Sequence, residues 1–190
     1  MYIIGLNGVA GAGKDTLAEI ALDELYGDWT TYSFATPLRD ALNAALEIPF
    51  SDMHNQLIKN KADYRYGKSI RYMLQTLGTE WGRNLIHPDI WILEAERRLK
   101  QMSNANDTDG VIITDCRFPN EADKIHEMGG KVIRIVRPNN PLTATVNSVG
   151  VGAAHLSEQG LSSDKIDYTI INDNSPNQML NSFLKFLDTL

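Results

Sequence analysis

Cysteine occurs once in the 190 residues, at Cys116, so no internal disulfide can form and a reducing compartment, the cytoplasm, is expected. Long apolar runs are missing as well. No stretch reaches the roughly 20 residues that cross a bilayer, and no basic segment with an apolar one behind it follows Met1. Neither a membrane span nor a secretory leader is therefore expected. Positive charge is in deficit: the formal net charge of −6 argues against a general hold on nucleic acid or on an anionic membrane. Basic residues that bind an anion must then be gathered locally. Signals of covalent catalysis are lacking, since Gly-x-Ser-x-Gly does not occur and Cys116 has no histidine near it in sequence. The histidines have no ligand-spaced His or Cys partners, which speaks against a zinc-type site. No internal repeat divides the chain. A hydrophobic content of 43% and this length suit one domain with its own core.

What is present is concentrated near the start. Gly8-Val9-Ala10-Gly11-Ala12-Gly13-Lys14-Asp15-Thr16 fits the phosphate-binding pattern G-x-x-x-x-G-K, with Asp15 where Ser or Thr usually follows the lysine. The apolar run Tyr2 to Leu6 precedes it, and Leu17, Ile20, Ala21 and Leu25 follow at helical spacing. Strand, glycine turn and helix are the context in which backbone N–H groups and a helix N-terminus converge on a phosphate. Lys14 would reach the β- and γ-phosphates.

Further elements alternate. A strand is expected over 31–34, and Thr36-Pro37 reads as N-cap and first residue of a helix that ends before Pro49. Residues 49–68 show no clear period. Ser69 opens a long helix to about Leu85, with Ile70, Met73, Leu74, Leu77, Trp81 and Leu85 on its apolar face. Arg71, Gln75, Gly78 and Gly82 form a neighbouring stripe, and glycines in a helix point to something packed close against them. A helix to about Met102 follows, then a strand over 111–115, a helix over 119–128, and strands over 131–136 and 168–171. Ser175-Pro176 starts the last helix. Residues 138–164, rich in Pro, Asn, Gly and Ser, read as a lid. Such alternation predicts an α/β fold: a five-stranded parallel sheet with helices on both faces, in one domain with an insertion over about 49–85.

Asp115 ends an apolar strand, where a carboxylate either holds magnesium or caps a turn. Arg117 either binds a phosphate bidentately or pairs with Glu121. Arg71 and Gln75 suit an acceptor phosphate and a base edge, with Arg83 near the same face; the alternative is a solvated polar stripe. Phe34 stacks on a base or packs in the core, and Arg39 is a further phosphate ligand candidate. His155, Ser157 and Glu158 sit in the lid. Lys14, Arg39, Arg71, Arg83, Arg117 and Arg137 supply local charge for phosphoryl transfer, which needs positioning more than covalent chemistry.

Together the pieces resemble the deoxynucleoside monophosphate kinase family of phages, also found in bacterial genomes. They are Gly8 to Thr16, Phe34-Ala-x-Pro-Leu-Arg39, Arg71-x-x-Leu-Gln75-x-x-Gly-Thr-Glu80-x-Gly-Arg83, Asp115-x-Arg117-Phe-x-Asn-Glu121, Val136-Arg137-Pro138, His155-x-Ser157-Glu158 and Asp167 to Asn172. The resemblance implies a three-layer P-loop kinase that transfers the ATP γ-phosphate to a deoxynucleoside 5′-monophosphate with Mg2+, in the cytoplasm of a bacterium or a phage-infected host. It implies small-molecule nucleotides as the partners, several accepted bases, and is compatible with a homodimer. By position, Gly11, Ala12, Gly13, Lys14, Asp15, Thr16 and Arg137 would serve ATP. Phe34, Arg39, Arg71, Gln75, Arg83, Arg117, His155, Ser157 and Glu158 would serve the acceptor, with Lys14, Arg71, Asp115 and Arg117 nearest the chemistry. Asp15 removes the usual hydroxyl ligand of the metal. Thr16 points elsewhere on the helix, so the metal would rely on Asp115, Asp15 and water. The residues by themselves leave two other readings open: a P-loop kinase for dephospho-coenzyme A or phosphomevalonate, and a regulatory NTP-binding protein without an acceptor.

Overall fold

A computed structural model describes residues 1–105, 108–138, 161–173 and 175–190. Most of the expected lid, with His155, Ser157 and Glu158, lies outside the described residues. In chain order the strands are β1 (Tyr2–Asn7), β2 (Trp29–Tyr32), β3 (Gly110–Ile113), β4 (Lys131–Val136) and β5 (Tyr168–Ile171). The helices are α1 (Lys14–Glu24), α2 (Thr36–Leu46), α3 (Phe50–His54), α4 (Ile70–Gln75), α5 (Ile90–Ala105), α6 (Pro119–Glu127) and a last helix, α7 (Pro176–Leu187). A π-helical segment covers Thr76–Ile86. Among the described residues no helix is long and apolar enough to cross a membrane. The chain groups into two compact units, one of Met1–Ser33 with Leu99–Leu190 and one of Phe34–Arg98.

The first unit carries the sheet. Its strands are all parallel in the order β2-β3-β1-β4-β5. Parallel strands need crossover connections, and the intervening helices cover both faces. β1 shows how. Ile4 and Leu6 point into a core with Leu17, Ala18 and Ala21 of α1 and Met179 and Phe183 of α7. Gly5 points the other way, where a Cβ would come 2.6 Å from Ile125 Cδ1 of α6. Fully buried β-branched runs such as Val111-Ile112-Ile113 suit strands covered on both sides. The strand order reverses at β1, so the loops leaving its C-terminal end and those of its neighbours form a crevice where ligands bind in such sheets.

Two strand ends differ from expectation. β2 stops at Tyr32, whose carbonyl accepts from Thr114 N–H at 2.9 Å, so Phe34 lies in the turn beyond it. β3 stops at Ile113 because the chain then bends until Cys116 N–H donates to Leu6 O at 3.1 Å. Asp115 therefore sits in a turn after the strand. Ala35, rather than Thr36, is the N-cap of α2, and Thr36 and Pro37 occupy its first turn.

The second unit has a core of Leu42, Ile48, Met53 and Ile70, packed with Leu46, Met73, Leu74 and Leu77. Ser69 caps α4 as expected, its hydroxyl oxygen accepting from Tyr72 N–H at 3.1 Å. The helix does not continue in α form. His87 N–H donates to Gly82 O at 3.0 Å, an i→i+5 bond, and the wider turn changes which side chains face inward. Trp81 and Leu85, expected in the core, are 46% and 75% exposed. Gly78 and Gly82 are buried instead. A Cβ on Gly82 would come 2.5 Å from Trp91 Cζ2, and the Trp91 indole N–H donates to Gly78 O at 2.7 Å. The close packing that the glycines announce is thus Trp91, with Leu38 over Gly78.

Gly82→Ala tests this packing. The methyl must displace the Trp91 ring, an overpacking cost of about 1–3 kcal/mol against a helix-propensity gain of about 1. Thermal unfolding should show a lower Tm than the parent. A raised Tm would mean that the ring moves freely and that the glycine has another role.

Candidate functional site

The loop after β1 takes a course that only glycine tolerates at two points. Gly8 has φ +149° and Gly13 φ +106°. A Cβ on Gly8 would lie 2.6 Å from Ile135 O, and one on Gly13 would lie 2.4 Å from Asn172 Nδ2. Helix α1 starts directly at Lys14, so its first N–H groups face the loop's concave side. The Lys14 ammonium donates to Gly8 O at 2.7 Å and to Val9 O at 3.0 Å. A cavity of about 380 Å³ opens here, lined by Gly11, Gly13, Lys14, Asp15 and Thr16 and by Arg137, Asn172, Pro176 and Met179. Thr16 was expected to point elsewhere; it lines the same cavity as Asp15, because both lie in the exposed first turn of α1. Ala12 has its side chain in the core, so it offers only backbone.

Charge converges on this loop. Burial lowers the Lys14 ammonium to about 8, the Arg117 guanidinium pushes the same way, and the Asp15 and Asp115 carboxylates oppose both. Four groups singled out from sequence thus lie within electrostatic reach of one another around Lys14. Asp115 Oδ2 accepts from the Ser33 hydroxyl at 2.6 Å, and Ser33 is buried. The Glu121 carboxylate, 2% exposed, accepts from Arg117 N–H at 2.8 Å and Phe118 N–H at 3.0 Å. It therefore fixes the backbone of the turn, while the Arg117 residue is exposed. Burial pushes the Cys116 thiol far up, with Glu121 and Asp115 adding to it, so it is no nucleophile.

Arg137, at the end of β4, reaches Gly11 O with its guanidinium at 3.4 Å. Asn172, one residue past β5, donates from Nδ2 to Ala12 O at 2.7 Å. Among the described residues no group of three His, Cys, Asp or Glu side chains is arranged to hold a metal. The two carboxylates beside this loop, Asp15 and Asp115, are nevertheless a donor set that would suit magnesium, which keeps several waters among its ligands.

In the second unit Arg71 is exposed, and its backbone N–H donates to Lys59 O at 2.9 Å. Gln75 follows one α-turn later at the end of α4. Arg83 lies in the π-helical segment and is half-buried. Phe34 is 4% exposed, a packed position. Arg39 donates to Thr36 Oγ1 at 3.3 Å.

Sequence reasoning gave Ser33, Asn172 and Met179 no place in the site: Asn172 entered only as the end of the last strand, and Met179 or Leu180 as part of the last helix's apolar face. The signal that could have found Ser33 and Asn172 is a polar residue directly after a strand, here β2 and β5.

The deoxynucleotide monophosphate kinase family model matches residues 50–182. The chain is 27% identical to the deoxynucleoside-5′-monophosphate kinase of Escherichia phage T5, over 90% of this chain and 89% of that protein. It is 30% identical to an Acanthamoeba polyphaga mimivirus protein that carries a deoxynucleotide monophosphate kinase name, over 99% and 97% of the two chains. In fold it is similar to a sugar kinase from Janibacter (15% identity, TM-score 0.51, 99% and 95% covered). A Thermus thermophilus protein is similar in the same way (14% identity, TM-score 0.52, 99% and 96% covered).

The Asn172 amide N–H is a donor on the wall of the loop cavity. Asn172→Asp replaces it with a carboxylate that repels both Ala12 O and a phosphate. Calorimetry should show ATP binding weakened by about tenfold or more, the ~1.4 kcal/mol or greater that losing a charge-assisted contact costs. Unchanged binding would mean that this side of the cavity takes no part in holding the nucleotide.

Proposed function

The chain belongs to the deoxynucleotide monophosphate kinase family and phosphorylates deoxynucleoside monophosphates; we propose that ATP is its donor and that the P-loop cavity of the first unit holds it. The observation that carries this reading is the glycine loop leading straight into α1, with the Lys14 ammonium, Asp115, Asp15 and Arg117 gathered at its mouth. Backbone N–H groups of Gly11, Gly13, Lys14, Asp15 and Thr16 cradle the β- and γ-phosphates, and Ala12 contributes its backbone. Lys14 exchanges the carbonyls of Gly8 and Val9 for phosphate oxygens, a better partner for a partly buried cation. Arg137 holds the donor from the end of β4.

Asp115, kept in place by Ser33, and Asp15 would hold Mg2+, which neutralises negative charge on the phosphates when bound. Arg117 takes an acceptor phosphate oxygen from a turn whose backbone Glu121 fixes. Arg71 clamps the acceptor phosphate, and Gln75, one turn on, reads the base edge. Arg39, Arg83 and the His155, Ser157 and Glu158 group complete the acceptor set. Phe34 acts through packing or through the base. Transfer then depends on alignment of oxygen and phosphorus rather than on a covalent intermediate.

A pair of variants tests the division of labour. Lys14→Ala should lose more than tenfold in kcat, over ~1.4 kcal/mol of transition-state stabilisation, with an unchanged circular dichroism spectrum. Arg71→Ala should raise the acceptor KM and lower kcat while the KM for ATP moves little. An Arg71→Ala enzyme with weakened ATP and an unchanged acceptor would exchange the two nucleotide sites in this reading.

A further inference from the structure

We infer that Asn7 is a positioning residue for the transfer, its side-chain amide locking the turn that bears Asp115 and Arg117 to the strand that runs into the phosphate-binding loop. This rests on the roles proposed above for Asp115 and Arg117. Asn7 is the last residue of β1, directly before Gly8, and is 4% exposed. Its strand neighbours Ile3, Ile4 and Leu6 are buried and apolar. An amide in that setting is costly unless hydrogen-bonded, and an apolar residue would fill the position without that cost. The polar side chain is therefore explained by what it binds.

Both ends of the amide are used. Nδ2 donates to Cys116 O at 2.9 Å, and Oδ1 accepts from Arg134 Nε at 3.3 Å. Arg134 itself is held by a bond to Leu161 O. The guanidinium can only donate, so it fixes which way the amide faces and leaves Nδ2 for Cys116. Cys116 is the residue between Asp115 and Arg117. Its N–H already donates to Leu6 O at 3.1 Å. The turn is thus tied to the end of β1 by two bonds, one from each side of the Cys116 residue. The backbone bond would form with any residue at position 7; the side-chain bond holds the carbonyl of the peptide that leads to Arg117, while the Glu121 carboxylate holds its N–H at 2.8 Å. Without the Asn7 bond the Glu121 carboxylate alone would hold this peptide, and a tilt of it would shift Arg117 relative to Lys14 without unfolding the sheet.

Asn7→Ala exchanges one uncharged side chain for another and so leaves the charge at the phosphate site unaltered, whereas Arg134→Met also removes a positive charge. Asn7→Ala should lower kcat by about 10–100-fold and raise the acceptor KM, with the ATP Kd from calorimetry changed by less than about threefold. Arg134→Met, which frees the amide to turn, should show the same split at smaller size. In an Arg117→Ala background Asn7→Ala should cost far less than alone, since both act on one turn. Thermal melts confirm that the compared proteins are folded. The inference is overturned if Asn7→Ala keeps kcat within about twofold of the parent, or weakens ATP in step with kcat, or adds in full to Arg117→Ala. If Arg117→Ala and Asp115→Asn are themselves silent, the assignment of the turn falls and takes this inference with it. If those two are damaging and folded Asn7→Ala is silent, the inference alone falls.

Discussion

A backbone turn that no side chain can enter is the constraint on which the first unit depends. At Gly8 the neighbouring strand's carbonyl, Ile135 O, stands where a Cβ would be, and at Gly13 the Asn172 amide does. Both positions also have left-handed φ. The loop can approach β4 and the end of β5 this closely only because it lacks side chains there. That approach aims the first N–H groups of α1, brings Arg137 to the rim and lets Asn172 hold Ala12 O. Strand order completes the arrangement: with β1 in the middle, the turns after β3, β4 and β5 all open beside the loop.

Electrostatics then follow from placement. Lys14 is partly buried next to Arg117, which lowers its affinity for a proton, while two carboxylates partly restore it. Such a balance leaves a cation whose present partners are two loop carbonyls. Phosphate oxygens are stronger partners for it. The buried polar residues Asn7, Ser33, Glu121 and Asn172 are spent on holding backbone and carboxylate groups in position. An acidic chain thus gathers a few cations locally, on a rigid frame that holds them.

Much of this architecture was legible in the sequence because its signals are local. A buried apolar run, a glycine turn and a helical period are read within about 25 residues, and their alternation implies the parallel sheet. Asp115 stood out as a polar residue at the end of such a run. What escaped depends on residues far apart. Asn172 and Ala12 are 160 positions apart, and Ser33 and Asp115 are 82 apart. The switch from α to π form after Gln75 escaped for the same reason. The period of Ile70 to Leu77 continues into Trp81 and Leu85, and nothing local says that Trp91 will claim the space beside Gly82. Tertiary packing overrode the helical pattern, turning two apolar residues outward and two glycines inward.

The central claim is that the loop cavity presents ATP to a deoxynucleoside monophosphate with magnesium. It is tested most directly by coupled ADP release, measured with ATP and Mg2+ against dAMP, dCMP, dGMP and dTMP in turn. The account predicts release that requires one or more of these acceptors and falls to background when the acceptor or the metal is withheld. Equal release with and without an acceptor, or release driven only by dephospho-coenzyme A, would contradict it.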